Sequence, residues 1–392
     1  MLASAGWGLI AAAILAGSLG CATTPAAPPY LATGDPVADG LAMLERCPTR
    51  DRVLWQYRTA LAALRQGQFD QARVLLDAAL ERLQGIYGPD PEARKSRRLF
   101  QAEARKTFLG EPYERAMAYF YRGILYWMEG EPDNARACFL SAQFMDSGAE
   151  DQTYANDYAL LEYLDGFALT RMGGNGQEAL TRARAVARLT QPPDYPVEGN
   201  VLIFADSGRG PVKLATGEYR QELRFQPGKS RGSRVRVQAG GQSLRLEPWD
   251  DLTFQATTRG GRVMDHVLGN KAVFKRTTDA IGDIAIISGA VMASQRGRDS
   301  AVDEVGAGLM VAGVISKLLA AATTPAADTR SWDNLPQYLY FGVMTLPVGE
   351  HRLLVEFLDD QGRVFSDATR TVEITVASAG SDTVLFVSDP NS

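Results

Sequence analysis

From about residue 53 to residue 189, apolar residues recur three and four positions apart, the spacing that lines one face of an α-helix. Three segments carry this period twice over, broken each time by a short turn: 53–83, 113–145 and 154–189. The turns are marked by Gly67, by the Gly-Glu-Pro-Asp run at 130–133 and by the Gly-Gly-Asn-Gly run at 173–176. Each segment therefore predicts two antiparallel helices. After the three prolines of 190–200 the spacing changes to short β-rich runs between Gly and Pro clusters: VLIFAD, YRQELRF, SRVRVQ, QSLRLEP and LTFQATT, then LYFGVMTL, HRLLVEFLD, RTVEITV and DTVLFVS. At 371–376 the alternation is clean, with Val372, Ile374 and Val376 between Thr371, Glu373 and Thr375, which predicts one buried and one wet face.

The central segment sets the character of the helical half. Tyr119, Gly123, Tyr126, Ala135, Phe139 and Ala142 follow the bulky and small positions of a tetratricopeptide-type hairpin. Ala60, Gly67, Phe69, Ala72, Leu76 and Ala79 repeat that frame nearly two periods earlier, at about 34 residues per period. The intervening stretch 91–108 opens on Pro91 and is rich in helix formers, with a basic face of Arg94, Lys95, Arg97, Arg98, Arg105 and Lys106. A stack of such hairpins buries the faces between repeats and leaves a concave surface on the first helices, a usual docking place for a peptide or protein. Most of the aromatic residues of 113–127 are expected in the core; Tyr113, Tyr119, Tyr126 and Trp127 are the candidates for groove-facing anchors.

The expected fold is α+β and multidomain: tetratricopeptide-like helices over 40–190, a linker at 191–200, and an antiparallel β-sandwich of immunoglobulin-like style over 201–392. The Asp-Asp-Gln-Gly run at 359–362 supplies a hairpin turn. The sandwich is interrupted from about 262 to 324 by two apolar, Gly- and Ala-rich stretches, with Gly282, Gly289, Gly306, Gly313 and Ala320 allowing close helix approach. Asp283 and Lys317 break these stretches, which favours a packed or oligomer-forming helical hairpin, with 280–320 as its contact surface, over a membrane span.

Residues 7–20 form an apolar run ending in small residues before Cys21 and the tether 21–39. A bilayer span takes about 20 apolar residues, so 1–20 is expected to be a signal peptide. Small residues before a single cysteine resemble the lipobox of bacterial lipoproteins, which implies acylation of Cys21. Ala22 after the cysteine resembles the outer-membrane sorting pattern, implying a lipid-anchored protein on the periplasmic face. Export would place Cys47 and Cys138 where a disulfide can persist, which makes them a possible pair; the plainer reading of Cys138, between Ala135 and Phe139, is a small half-buried core residue. The strings FLGEPYERAMAYFY, AEDQTYANDYALLEYLDGFAL and DTRSWDNLPQYL resemble a poorly characterised family of tetratricopeptide-containing bacterial envelope lipoproteins, a resemblance that implies repeats and an envelope location and no reaction.

The chain has 392 residues, a net charge of -5 and two histidines, His266 and His351. It shows no basic excess for nucleic acid and leaves little room for histidine-based catalysis or metal binding. The loop 205–213 lacks phosphate-loop spacing, since Pro211 removes an N–H and no Ser or Thr follows Lys213. Asp250 with Asp251, and Asp265 beside His266, form no catalytic pattern; Asp328, Arg330 and Trp332 are expected to cap the sheet. No catalytic residue, metal ligand or cofactor is therefore expected. The expected role is a non-enzymatic outer-membrane scaffold that binds envelope proteins through its helical groove and the membrane through its anchor. A cell-wall or polysaccharide-binding sandwich and an unrecognised envelope hydrolase are the alternatives.

Overall fold

In the computed structural model of the protein, the described residues are 30–86, 107–147, 156–218, 220, 222–258 and 327–389. The signal segment with Cys21, the basic stretch as far as 106, Asp265, His266 and the apolar insertion all lie outside them. Among the described residues seven helices come first: α1 (Pro36–Arg46), α2 (Arg52–Arg65), α3 (Phe69–Ile86), α4 (Pro112–Met128), α5 (Pro132–Ser147), α6 (Ala159–Arg171) and α7 (Gln177–Val186). They pack in chain order, each against the next. Strands follow: β1 (Val201–Ser207), β2 (Val212–Thr216), β3 (Glu222–Gln226), β4 (Arg234–Ala239), β5 (Gln242–Leu246) and β6 (Pro248–Asp251). A short helix α8 (Leu252–Thr258) precedes the insertion, and β7 (Tyr338–Met344), β8 (Gly349–Leu358), β9 (Arg370–Val376) and β10 (Thr383–Asp389) come after it. The fold is α+β, helices first and strands second.

Local chemistry explains the helix ends. Pro112 opens α4, and Glu111 and Glu114 form a reciprocal capping box there that satisfies amides the first turn leaves without partners. Gly67 and Gly130, at φ +73° and +78°, turn the chain between the paired helices α2/α3 and α4/α5 in a conformation that costs a side-chain-bearing residue energy. Within the central pair, Gly123 lets α4 approach Phe139 of α5 so closely that a Cβ would lie 2.5 Å from the ring.

Two four-stranded sheets lie in the order β10-β1-β7-β6 and β5-β4-β8-β9, with β2 and β3 as a separate hairpin. The second large sheet is antiparallel throughout; in the first, β1 runs parallel to β10 and antiparallel to β7. All seven residues of β1 are buried because both of its faces are covered. Val201, Ile203 and Ala205 join a core with Val235, Val237, Leu353, Val355 and Phe357 of the other sheet. Leu202 and Phe204 join Leu339, Phe341 and Phe386 in a second core shared with α2, α4 and α6. The order is thus helices, sheet, sheet.

That shared core corrects the placement of the groove residues. Tyr113, Tyr119 and Trp127 are buried, at 1%, 5% and 1% exposure, and do not line an open surface. The inner face of the helical stack carries the chain's own sheet: Phe120 and Trp127 meet Phe204 with centroids 6.2 and 6.5 Å away, and Tyr121 meets Phe386 edge-on at 6.0 Å. The described residues from Pro36 onward cluster as one compact unit. The proline-rich stretch 191–200 is tied down as well, Tyr195 packing on Tyr163 and Phe167 and donating to the Gly176 carbonyl.

Two strand expectations change. LTFQATT is the helix α8, its amide at Thr253 capped by Asp251 at 2.8 Å; the threonines that read as strand formers bond back to Thr253 and Phe254 carbonyls. Conversely, the loop expected at 205–213 contains the end of β1 and the start of β2, with Lys213 pointing inward.

Candidate functional site

Charged side chains gather along the seam between helices and sheet, on both flanks of the insertion. On the C-terminal flank, the segment 327–337 crosses the helical layer. Trp332 stacks on Tyr57 of α2, centroids 4.4 Å apart, and its backbone N–H donates to Glu114 of α4 at 2.7 Å. Arg58 donates to the Ser331 carbonyl at 2.7 Å and pairs with Asp333. Two turns further along α2, Arg65 donates to the Asn334 carbonyl at 2.7 Å and reaches Asp206 at the end of β1 at 3.3 Å. Asp206 also accepts from Tyr121 at 2.9 Å and from Ser388 of β10. Burial, then the Asp206 charge, pushes the Tyr121 hydroxyl well above its ordinary value. This carboxylate therefore ties three layers of chain together: α2, α4 and the paired strands.

Beside it lies an ionic pair out of solvent. Lys213 of β2, 4% exposed, donates to Glu114 at 2.5 Å and to the Arg330 carbonyl at 3.0 Å, and Glu111 stands 3.9 Å away. Arg330 itself pairs with Asp51 and Asp328, both at 2.6 Å. Burial works against its charge, but the Asp328 and Asp51 carboxylates outweigh that and hold the guanidinium above its ordinary value. Asp328, Arg330 and Trp332 thus bind the helical layer and do not cap the sheet.

The N-terminal flank is fixed at the other end of the seam. Asp250 of β6 is buried at the start of α6, accepting from the Ala159 and Leu160 amides at 3.1 and 2.9 Å, a helix cap supplied by a distant strand. Asp146 at the end of α5 accepts from the Asp157 amide at 3.3 Å, and Gln255 of α8 donates to the Asp157 carbonyl. Burial pushes the Asp250 carboxyl up to about 7 against the two amide bonds, with the Asp157 and Asp146 charges adding to the rise. Trp249 anchors the same strand, donating to the Phe341 carbonyl at 3.0 Å and packing on Tyr163. Both flanks meet the β2–β3 hairpin: α8 packs on β3, and Ala327 packs on Leu223 and donates its amide to the Arg220 carbonyl at 2.8 Å. The described residues on either side of the insertion therefore lie beside one hairpin.

Tyr126 is half-buried, with the Arg122 guanidinium 3.4 Å over its ring and Asp77 holding that arginine at 2.6 Å. Cys47 and Cys138 are both free thiols, so the possible disulfide between them is not formed here; burial pushes Cys138 up to about 12, in keeping with its place beside Phe139 in the core. His351 is a half-buried strand residue whose ring meets the Pro347 carbonyl. Cys21, 280–320, Asp265 and His266 lie outside the described residues. Among the described residues no group of three or more His, Cys, Asp or Glu is placed to hold a metal ion, and no helix is long and apolar enough to cross a membrane.

Sequence reasoning does not single out the seam residues Arg58, Arg65, Glu114, Asp206 and Lys213 for this role. A partial signal is present all the same, since Arg58 and Arg65 are seven apart on one face of α2; Lys213, between Val212 and Leu214, gives none. No family model matches the chain, and no curated protein or solved structure matches it either.

Proposed function

We propose that the protein is a non-enzymatic scaffold of the bacterial cell envelope, anchored to the outer membrane through an acylated Cys21 and facing the periplasm. The observation that supports this best is the seam. Both flanks of the apolar segment 262–324 are held to the helical layer by buried ionic and aromatic contacts, through Asp250 and Trp249 on one side and Arg330 and Trp332 on the other. A segment fixed at both ends to a shared core suits a contact element displayed on a rigid support.

We read the helices as tetratricopeptide-like and the two sheets as an immunoglobulin-like sandwich. The close fit of Gly123 on Phe139 and the fully buried Ala135 and Ala142 support the first; alternating strand residues between two facing sheets support the second. In an open array of such repeats the inner face receives a partner. Here that face carries the sheet, and we assign the contacts with envelope proteins to the insertion, with self-association through 280–320, and to the outer helix surface where Phe69, Val74 and Leu140 are exposed. The test is affinity capture from crosslinked envelopes with the full chain and with a chain lacking 262–324. Protein partners recovered with the first and lost with the second are expected. Recovery of none with the full chain, or fractionation of the mature chain with the cytosol, overturns the proposal.

A further inference from the structure

Lys213 and Glu114 are brought together in a way that a structural ion pair does not require. The ammonium is 2% and the carboxylate 0% exposed at the side chain, the contact is 2.5 Å, and a second carboxylate, Glu111, stands 3.9 Å from the same nitrogen. The Phe108 ring lies 5.4 Å from the lysine nitrogen, and buried Tyr113 and Trp332 sit beside Glu114, the first as its chain neighbour and the second by hydrogen bond. Removing two charges from water costs more than their attraction returns unless the geometry is very good, and a neutral product would relieve that cost.

We propose that Lys213 and Glu114 condense to an intramolecular amide, a spontaneous isopeptide cross-link between β2 and the first turn of α4, with Glu111 as the proton shuttle. The proton held in the 2.5 Å contact passes from Nζ to Oε2, leaving a neutral amine and a carboxylic acid. The nitrogen lone pair attacks Cδ of Glu114. The developing negative charge falls on Oε1, which already accepts the Trp332 amide at 2.7 Å, as an oxyanion donor should be placed. Glu111 takes a proton from the attacking nitrogen and returns it to Oε2, which leaves as water. One C–N bond forms, one C–O bond breaks, one water is released and no oxidant or reductant takes part. In bulk water amide condensation is disfavoured; groups held at reacting distance gain an effective molarity on the order of 10⁵–10⁸ M, and the site has little water to reverse the step.

The product would lock the β2–β3 hairpin, where both flanks of the insertion converge, to the helical layer. The experiment is peptide mapping of the full mature chain after tryptic digestion. The expected species is a branched peptide joining 107–115 to 210–220, lighter by one water than the two together, because cleavage after Lys213 is blocked once its amine is acylated. Lys213→Arg, which keeps the charge but cannot condense, should yield the 107–115 peptide alone. Glu111→Gln should slow the appearance of the branched species by at least tenfold in freshly purified protein. Complete recovery of free 107–115 and of 210–213 from the wild-type chain overturns the proposal; a branched species that forms equally fast in Glu111→Gln overturns the role of Glu111.

Discussion

The indole of Trp332 lies on the ring of Tyr57 with the two planes 18° from parallel, joining the segment that follows the insertion to α2. Trp332 is 1% exposed, and Tyr121 packs against it at 6.1 Å. The helical layer and the near sheet are therefore two sides of one core.

Trp332→Ala removes the centre of that contact. Truncating a buried tryptophan costs about 3–5 kcal/mol, and the helical and sheet signals should fall together because they share the core. Denaturant titration followed by far-ultraviolet circular dichroism and by tyrosine fluorescence checks both points. Separate transitions for the two signals in the wild-type protein would contradict the shared core.

The Asp250 carboxyl gives the fold a pH dependence opposite to that of most carboxylates. Its folded value is about 7 against an ordinary 3.8, so between those limits the folded state binds a proton that the unfolded chain does not. Its contribution is fully present below about pH 4, declines as pH rises through 7 and is absent above it. The distance between the two values places an upper bound of about 4 kcal/mol on that contribution. Asp250→Asn keeps only one of the two amide bonds at the start of α6, because its oxygen accepts and its nitrogen donates, and it should remove most of this slope. Unfolding free energies of both proteins at pH 5 and pH 8 decide it; an unchanged slope in the variant would rule Asp250 out as the source.

Gly123→Ala should destabilise by about 1–3 kcal/mol, since its Cβ would meet the Phe139 ring at 2.5 Å and the two helices must move apart. Gly67→Ala is a useful contrast. Nothing lies within 4 Å of its added methyl, and the penalty of about 1 kcal/mol comes from the φ of +73° alone. Thermal melts of both variants separate crowding from backbone strain.

The thiols should differ in reactivity. Burial raises both above the ordinary cysteine value, Cys138 to about 12, and the thiolate is the species that alkylates. Iodoacetamide at pH 8 should modify Cys47 in the native protein and Cys138 only on unfolding. Peptide-resolved labelling over time measures this, and equal rates would mean that α5 opens locally.

The division into a helical half and a strand half is legible in the change of apolar period near residue 200, because 3.6-residue and two-residue spacings are set by backbone geometry. The fit of Gly123 to Phe139 is legible for the same reason. What escapes is the contact between the halves. Aromatic residues such as Phe120 and Trp127 show only that a helix face is apolar, and the identity of its cover is written in Phe204 and Phe386, far along the chain. Lys213 and Asp206 look like loop residues, since a buried charge is recognised only when its partner is known. Asp250 looks idle because the helix it caps begins some ninety residues earlier, at Ala159.

The parallel pairing of β1 with β10 carries a consequence for the order in which the molecule assembles. Val201–Ser207 is flanked by Tyr338–Met344 on one side and by Thr383–Asp389 on the other, both of which are synthesised long after it. The helices can form as they emerge, but the floor on which Phe120 and Trp127 rest waits for the final strand. Until then a wide aromatic surface stands uncovered, and a nascent chain has reason to depend on chaperones over that interval.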